Sequence, residues 1–96
     1  MRARILAKSC AVEVTAEAGL AAAVRQAAFV MTDRAYLFLD ATDSGQLRVF
    51  LRSKRRASAK QLRSMRRIFE EEVHTQRIRL TLSRAARTQS RHFLKQ

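Results

Sequence analysis

Tyr36-Leu37-Phe38-Leu39-Asp40-Ala41-Thr42-Asp43-Ser44-Gly45-Gln46-Leu47-Arg48-Val49-Phe50-Leu51-Arg52 decides the fold class. Tyr36 to Leu39 has the aromatic and aliphatic composition of a strand. Thr42-Asp43-Ser44-Gly45 is turn chemistry, with Gly45 suited to a positive φ. Leu47, Val49 and Leu51 then alternate with Arg48, Phe50 and Arg52, the two-residue period of a half-buried strand. The stretch is therefore expected to form a β-hairpin.

Upstream, Cys10, Val12 and Val14 alternate with Ala11, Glu13 and Thr15 and predict another strand. Cys10 is expected as a buried strand residue. Over 19–32 the period changes. Leu20, Val24, Ala27, Ala28 and Met31 recur at three- and four-residue intervals, which predicts an amphipathic helix starting near Thr15 or Glu17. Downstream of the hairpin, Ser58 is placed to cap a helix. Leu62, Met65, Phe69, Val73, Gln76 and Leu80 form one stripe of that helix. A second stripe, Ile78, Leu82, Ala85/Ala86, Gln89 and Phe93, falls on nearly the opposite side if the helix runs straight.

A surface helix is not normally apolar on opposed faces. Either the helix breaks around 74–84 and folds back, or its distal part packs against another protein. A strand at Ile78-Arg79-Leu80-Thr81-Leu82 is a third option. Two helices are the preferred expectation. The predicted order is β-α-β-β-α-α, an α+β fold with a small three-stranded sheet and helices on one face. A right-handed crossover makes the first strand a parallel neighbour in the hairpin's sheet. The 96 residues form a single domain, divided into a basic N-terminal segment (1–9), a strand-helix-hairpin unit (10–52), a basic connector (53–58) and C-terminal helices (59–94).

The charge is lopsided. Residues 1–47 carry five basic and five acidic side chains, whereas 48–96 carry fifteen Lys or Arg against Glu70, Glu71 and Glu72, which gives the whole net charge of +12. An anionic partner is implied. Arg52, Lys54, Arg55, Arg56, Lys60, Arg63, Arg66 and Arg67 fall within sixteen residues. Lys60, Arg63 and Arg67 share one helical face, continuous with the connector, so Arg52, Lys54, Arg55, Arg56, Lys60, Arg63 and Arg67 are the candidate anion-binding residues. Tyr36 and Phe38 are able to stack nucleic-acid bases, but Phe38 and Phe50 read at least as easily as core.

Catalysis is poorly supported. His74 and His92 stand eighteen apart without a Cys or carboxylate at ligand spacing. Two glycines exclude a GxGxxG loop or a P-loop. Glu70-Glu71-Glu72 reads as a solvated helix face paired with Arg66 and Arg67. Neither a catalytic or metal site nor a cofactor is expected. One cysteine excludes an internal disulfide and fits a reducing cytoplasm. No apolar run is long enough to cross a bilayer and no signal peptide is recognised, so a cytoplasmic protein without membrane contact is expected.

Ala27-Ala28-Phe29-Val30-Met31-Thr32-Asp33-Arg34-Ala35-Tyr36 and Phe69-Glu70-Glu71-Glu72-Val73-His74-Thr75-Gln76-Arg77-Ile78-Arg79 carry a family resemblance. The first resembles the helix-to-strand passage of the small D component of His-Xaa-Ser gene cassettes, the HxsD-like proteins. The second resembles that family's later helix. Together with element order and length, the likeness covers roughly residues 12–94. His74, Thr75 and Leu80 depart from the family's usual residues. The resemblance implies a cassette with two radical S-adenosylmethionine enzymes and a peptide bearing His-Xaa-Ser repeats. This chain has one cysteine where a cubane cluster needs three, and it lacks the repeats. What the resemblance then implies is a non-catalytic accessory protein in ribosomal peptide modification, binding a radical SAM maturase subunit, an acidic precursor peptide, or both, as a homo- or hetero-oligomer. Ile78, Leu82, Ala86 and Phe93 are the candidate protein-docking residues. The alternative expectation is a small basic nucleic-acid-binding domain.

Overall fold

The computed structural model describes residues 1–94, with side chains as far as Arg84. Four strands, β1 (Arg2–Leu6), β2 (Ala11–Ala16), β3 (Ala35–Ala41) and β4 (Leu47–Ser53), are joined to two helices, α1 (Ala21–Val30) and α2 (Ala59–Leu94). The sheet order is β1-β2-β4-β3, and every neighbouring pair is antiparallel. The α+β class and the hairpin stand.

The three-stranded sheet is corrected to four strands. Residues 1–9 are not merely a basic segment: Ala3 and Ile5 continue the inner row, while Arg2 and Arg4 point the other way. Five residues, with only Ala3 and Ile5 on the inner row, are too few for periodicity to reveal. The turn back into β2 puts Cys10 at φ 50°, in the left-handed region. Cys10 is thus a half-buried turn residue outside the strand, with its Sγ 3.8 Å from the Ala57 carbonyl oxygen. The expected parallel neighbour is corrected as well. β4 folds back from β3 into the slot beside β2, so β2 and β3 run in the same direction with β4 between them. β4 takes the central place because Leu47, Val49 and Leu51 are all buried, whereas Leu39, Asp40 and Ala41 of β3 are exposed.

The rows Ile5–Val12–Leu51–Leu37 and Ala3–Val14–Val49–Leu39 cross the sheet on its inner face. Both helices pack there. Ala23, Val24, Ala27 and Ala28 of α1, Met31, and Leu62, Met65, Phe69 and Val73 of α2 complete one core. The alanines let α1 approach closely, and Phe69 and Met31 fill the largest fully enclosed spaces. Gly45, at φ 82°, closes the β3–β4 turn, where its N–H donates to the Thr42 carbonyl at 3.0 Å. The Met1 ammonium donates to Glu17 at 2.8 Å. That hydrogen bond, foremost, holds the Glu17 carboxyl below the usual carboxylate range.

Ser58 caps α2 as its position suggests. Its Oγ accepts from the Gln61 N–H at 3.2 Å, while Gln61 Oε1 accepts from the Ser58 N–H at 2.8 Å, a reciprocal capping box. From there the helix runs unbroken to Leu94, so neither the fold-back at 74–84 nor a strand at 78–82 occurs. The physical reason lies in composition: no proline and no glycine follows Gly45, and good helix formers fill the segment. Thr81, the one β-branched hydroxyl between Ile78 and Leu82, returns its hydrogen bond to the Arg77 carbonyl at 3.0 Å. Thirty-six residues span about 54 Å at 1.5 Å per residue. Leu80 still packs against the core, and beyond it the helix projects. The radius of gyration is accordingly 16.0 Å, against about 12.5 Å for a compact chain of this length.

Two stability outcomes follow from this packing. Phe69→Ala is expected to cost about 3–5 kcal/mol in urea unfolding, because Phe69 is fully buried in the core that the sheet shares with both helices. Cys10→Val is expected to cost about 1 kcal/mol more than Cys10→Gly, since a β-branched residue is the worst occupant of a left-handed turn position.

Candidate functional site

With both helices on the inner face, the outer face of the sheet is bare. Its rows, read across β1, β2, β4 and β3, are Arg4–Glu13–Phe50–Phe38 and Arg2–Thr15–Arg48–Asp40, with Arg52 opposite Tyr36 at one end. The expectation that Phe38 and Phe50 belong to the core is therefore corrected. Phe38 is 57% exposed and Tyr36 55% exposed, while Phe50, on the central strand between Phe38 and Glu13, is half-buried. Alternation had already set these rings opposite Leu37, Val49 and Leu51. A strand apolar on both faces does not reveal which face the helices will take.

Glu13 sits in the middle of this face. Arg4 donates to one of its carboxylate oxygens at 2.6 Å, and the Arg48 Nε lies 3.5 Å from the other. Two guanidinium groups against one carboxylate leave the region positive, and Arg2 adds to it. The Lys54 ammonium lies 5.5 Å from the centre of the Tyr36 ring, within cation–π range. Arg2, Arg4 and Arg48 line a groove over β1, β2 and β4 with Glu13 and Thr15. The contribution of β1 was missed at the level of sequence. The only signal was the Arg2/Arg4 alternation with Ala3 and Ile5.

The seven candidate anion-binding residues do not share this face. Arg52 lies on it, with Lys54 at its margin. Arg55 and Arg56 are exposed in the connector, where the Arg55 N–H donates to Ser53 Oγ at 3.3 Å. Lys60, Arg63 and Arg67 are exposed on α2, turned away from the buried stripe that meets the inner face. Lys60 shares a groove with Arg34, Ser53 and Met65. The connector thus bridges two basic regions on different sides of the sheet. Of the two expected helical ion pairs, Arg66–Glu70 is formed, at 3.9 Å, in the weaker Arg-first orientation.

The docking candidates are placed in part. Ile78 is 47% exposed and Leu82 63% exposed, and with His74, Arg77 and Thr81 they line a shallow apolar groove on the outward side of α2. Ala86 and Phe93 lie outside the described side chains. Phe29, 72% exposed, and Val30 form another apolar spot at the end of α1. Periodicity places Phe29 and Val30 outside the α1 core stripe.

Among the described residues no three His, Cys, Asp or Glu side chains stand close enough to hold a metal ion. Nor, among them, is any helix long and apolar enough to cross a membrane. Compared with known proteins, the chain matches no family model, no curated protein and no solved structure.

Proposed function

We propose that this chain is a non-catalytic accessory protein that docks onto an acidic partner protein through the outward side of α2. On the resemblance described above, the partner is a radical SAM peptide maturase, its precursor peptide, or both. The observation that carries the reading is the unbroken helix. Opposed apolar stripes needed either a fold-back or a partner, and α2 does not fold back. Ile78 and Leu82 therefore stay 47% and 63% exposed against the described side chains.

Charge supports the choice of partner. Within Ala59–Leu94, nine Lys or Arg face three Glu. A second copy of the same helix would bring like charges together, whereas an acidic surface gains from them, chiefly in encounter rate. Arginine beside exposed aliphatic residues is also the composition favoured in protein interfaces. An extended precursor peptide has a second means of attachment, because β3 is an edge strand whose outer side pairs with no other strand.

The test is co-expression with the radical enzyme encoded at the same locus, followed by size-exclusion chromatography. Co-elution is expected, and Ile78→Asp with Leu82→Asp is expected to abolish it while leaving the thermal melt within about 0.5 kcal/mol of the parent, as for exposed positions generally. Independent elution of the two unmodified proteins, with no gain in the enzyme's solubility, contradicts the proposal.

A further inference from the structure

The bare face of the sheet carries a second inference, independent of the projecting helix. We propose that it binds single-stranded nucleic acid, with Tyr36, Phe38 and Phe50 as stacking surfaces and Arg4, Arg48 and Arg52 as phosphate contacts. Nucleic-acid binding inferred from charge alone pointed to the connector and α2. The structure moves the better-equipped site to the sheet.

Three features favour this occupant. First, Tyr36 and Phe38 are two residues apart on one strand, hence about 7 Å apart along it, and Phe50 is the in-register neighbour of Phe38 at about 5 Å. The longer spacing is about twice the 3.4 Å rise per nucleotide of a B-form strand. It suits bases splayed apart on an open strand and not bases stacked within a duplex. Second, the cations are interleaved with the rings. Arg52 stands opposite Tyr36, Arg48 is two residues from Phe50 on the same strand, and Arg4 lies in the Phe50–Phe38 row beyond Glu13. Stacking with a tracked backbone is how sequence-tolerant single-strand binding works. Third, the face keeps a positive surplus: Arg2, Arg4, Arg48 and Arg52 stand on it against Glu13, which pairs with Arg4 and Arg48, and Asp40, the in-register neighbour of Arg48. An acidic peptide would meet the same cations, but it carries rings on only some of its residues, whereas a single strand offers a flat base at every nucleotide.

Duplexes are disfavoured because their bases present only edges. A base stacked on Tyr36 would displace the Lys54 ammonium, whose flexible stem allows the charge to follow a phosphate instead.

Fluorescence anisotropy with labelled dT and rU oligonucleotides of about 12 nucleotides, the span of one such platform, tests this on the full chain. Binding in the micromolar range or tighter is expected at low salt, and weaker binding to a duplex of the same length. About three phosphate contacts should give a log–log salt slope near −2, a loss of about tenfold to twentyfold from 50 to 200 mM salt. Tyr36→Leu with Phe38→Leu keeps apolar, strand-compatible side chains but removes the π faces. It is expected to weaken binding by about tenfold or more, while Arg63→Ala with Arg67→Ala on α2 has a smaller effect. Both positions in the first pair are more than half exposed, so an unchanged thermal melt is expected, and Phe38→Leu alone serves if the double variant melts early. The proposal is overturned by absence of binding at about 50 mM salt, or by equal affinity for the duplex. It is also overturned if the α2 pair matters more than the aromatic pair, or if polyglutamate binds as tightly with the same aromatic dependence. These outcomes are separate from co-elution with a maturase, so either proposal can fail alone.

Discussion

Everything exposed on this molecule follows from where α2 spends its buried stripe. Leu62, Met65, Phe69 and Val73 press onto the inner face of the sheet beside α1, and together the two helices close a single core. Two helices cover one face of four strands and no more. The cost of that economy is a sheet whose other face stays open and a helix whose other side stays open. Phe69, fully enclosed, is the contact that ties the two layers together.

Much of this was legible. Residue period located β2 and α1, strand composition with the Thr42–Gly45 turn located the β3–β4 hairpin, and Ser58 marked the start of α2, where the structure adds Gln61 as its capping partner. The core stripe of α2 was readable through Leu80 because helical spacing is strict where packing is tight. Other features were hidden for identifiable reasons. β1 offers only Ala3 and Ile5 to an alternation test, and its intervening arginines resemble a disordered basic leader. Cys10 looked like the first residue of a strand because nothing in its side chain announces a left-handed turn. The break expected near 74–84 came from a premise about packing, that a surface helix is not normally apolar on opposed faces, with a fold-back preferred over a partner as the way to cover the second stripe. Composition argued the other way, with no glycine or proline after Gly45. The bare aromatic face was half legible: alternation separated Phe38 and Phe50 from Leu37 and Val49, but both sets are apolar, and only the three-dimensional arrangement selects which set the helices bury.

The charge asymmetry also takes a different form in three dimensions. Among the described side chains of the second half, Arg48 and Arg52 of β4 stand on the sheet face and Lys60, Arg63 and Arg67 on the outer side of α2, with Arg55 and Arg56 between. The electroneutral first half contributes to the positive face after all, because β1 delivers Arg2 and Arg4 to the row containing Glu13 or its neighbour. Each basic region is paired with a different apolar chemistry, aromatic rings on the sheet and aliphatic side chains on the helix. That pairing is the basis for proposing bases as the occupant of the one surface and another protein as the occupant of the other.

Continuity of α2 is the claim on which the docking surface rests, and it is directly measurable. Spin labels at Lys60→Cys and Arg84→Cys, in a Cys10→Gly background, report the distance along the helix by pulsed electron resonance. An unbroken helix places the two backbones about 36 Å apart, at 1.5 Å per residue over 24 residues. A distribution centred near 36 Å is the result predicted here. A helix that folds back within 74–84 brings the labels to about 20 Å, and a distribution centred there would contradict the account, because Ile78 and Leu82 would then have cover within their own chain.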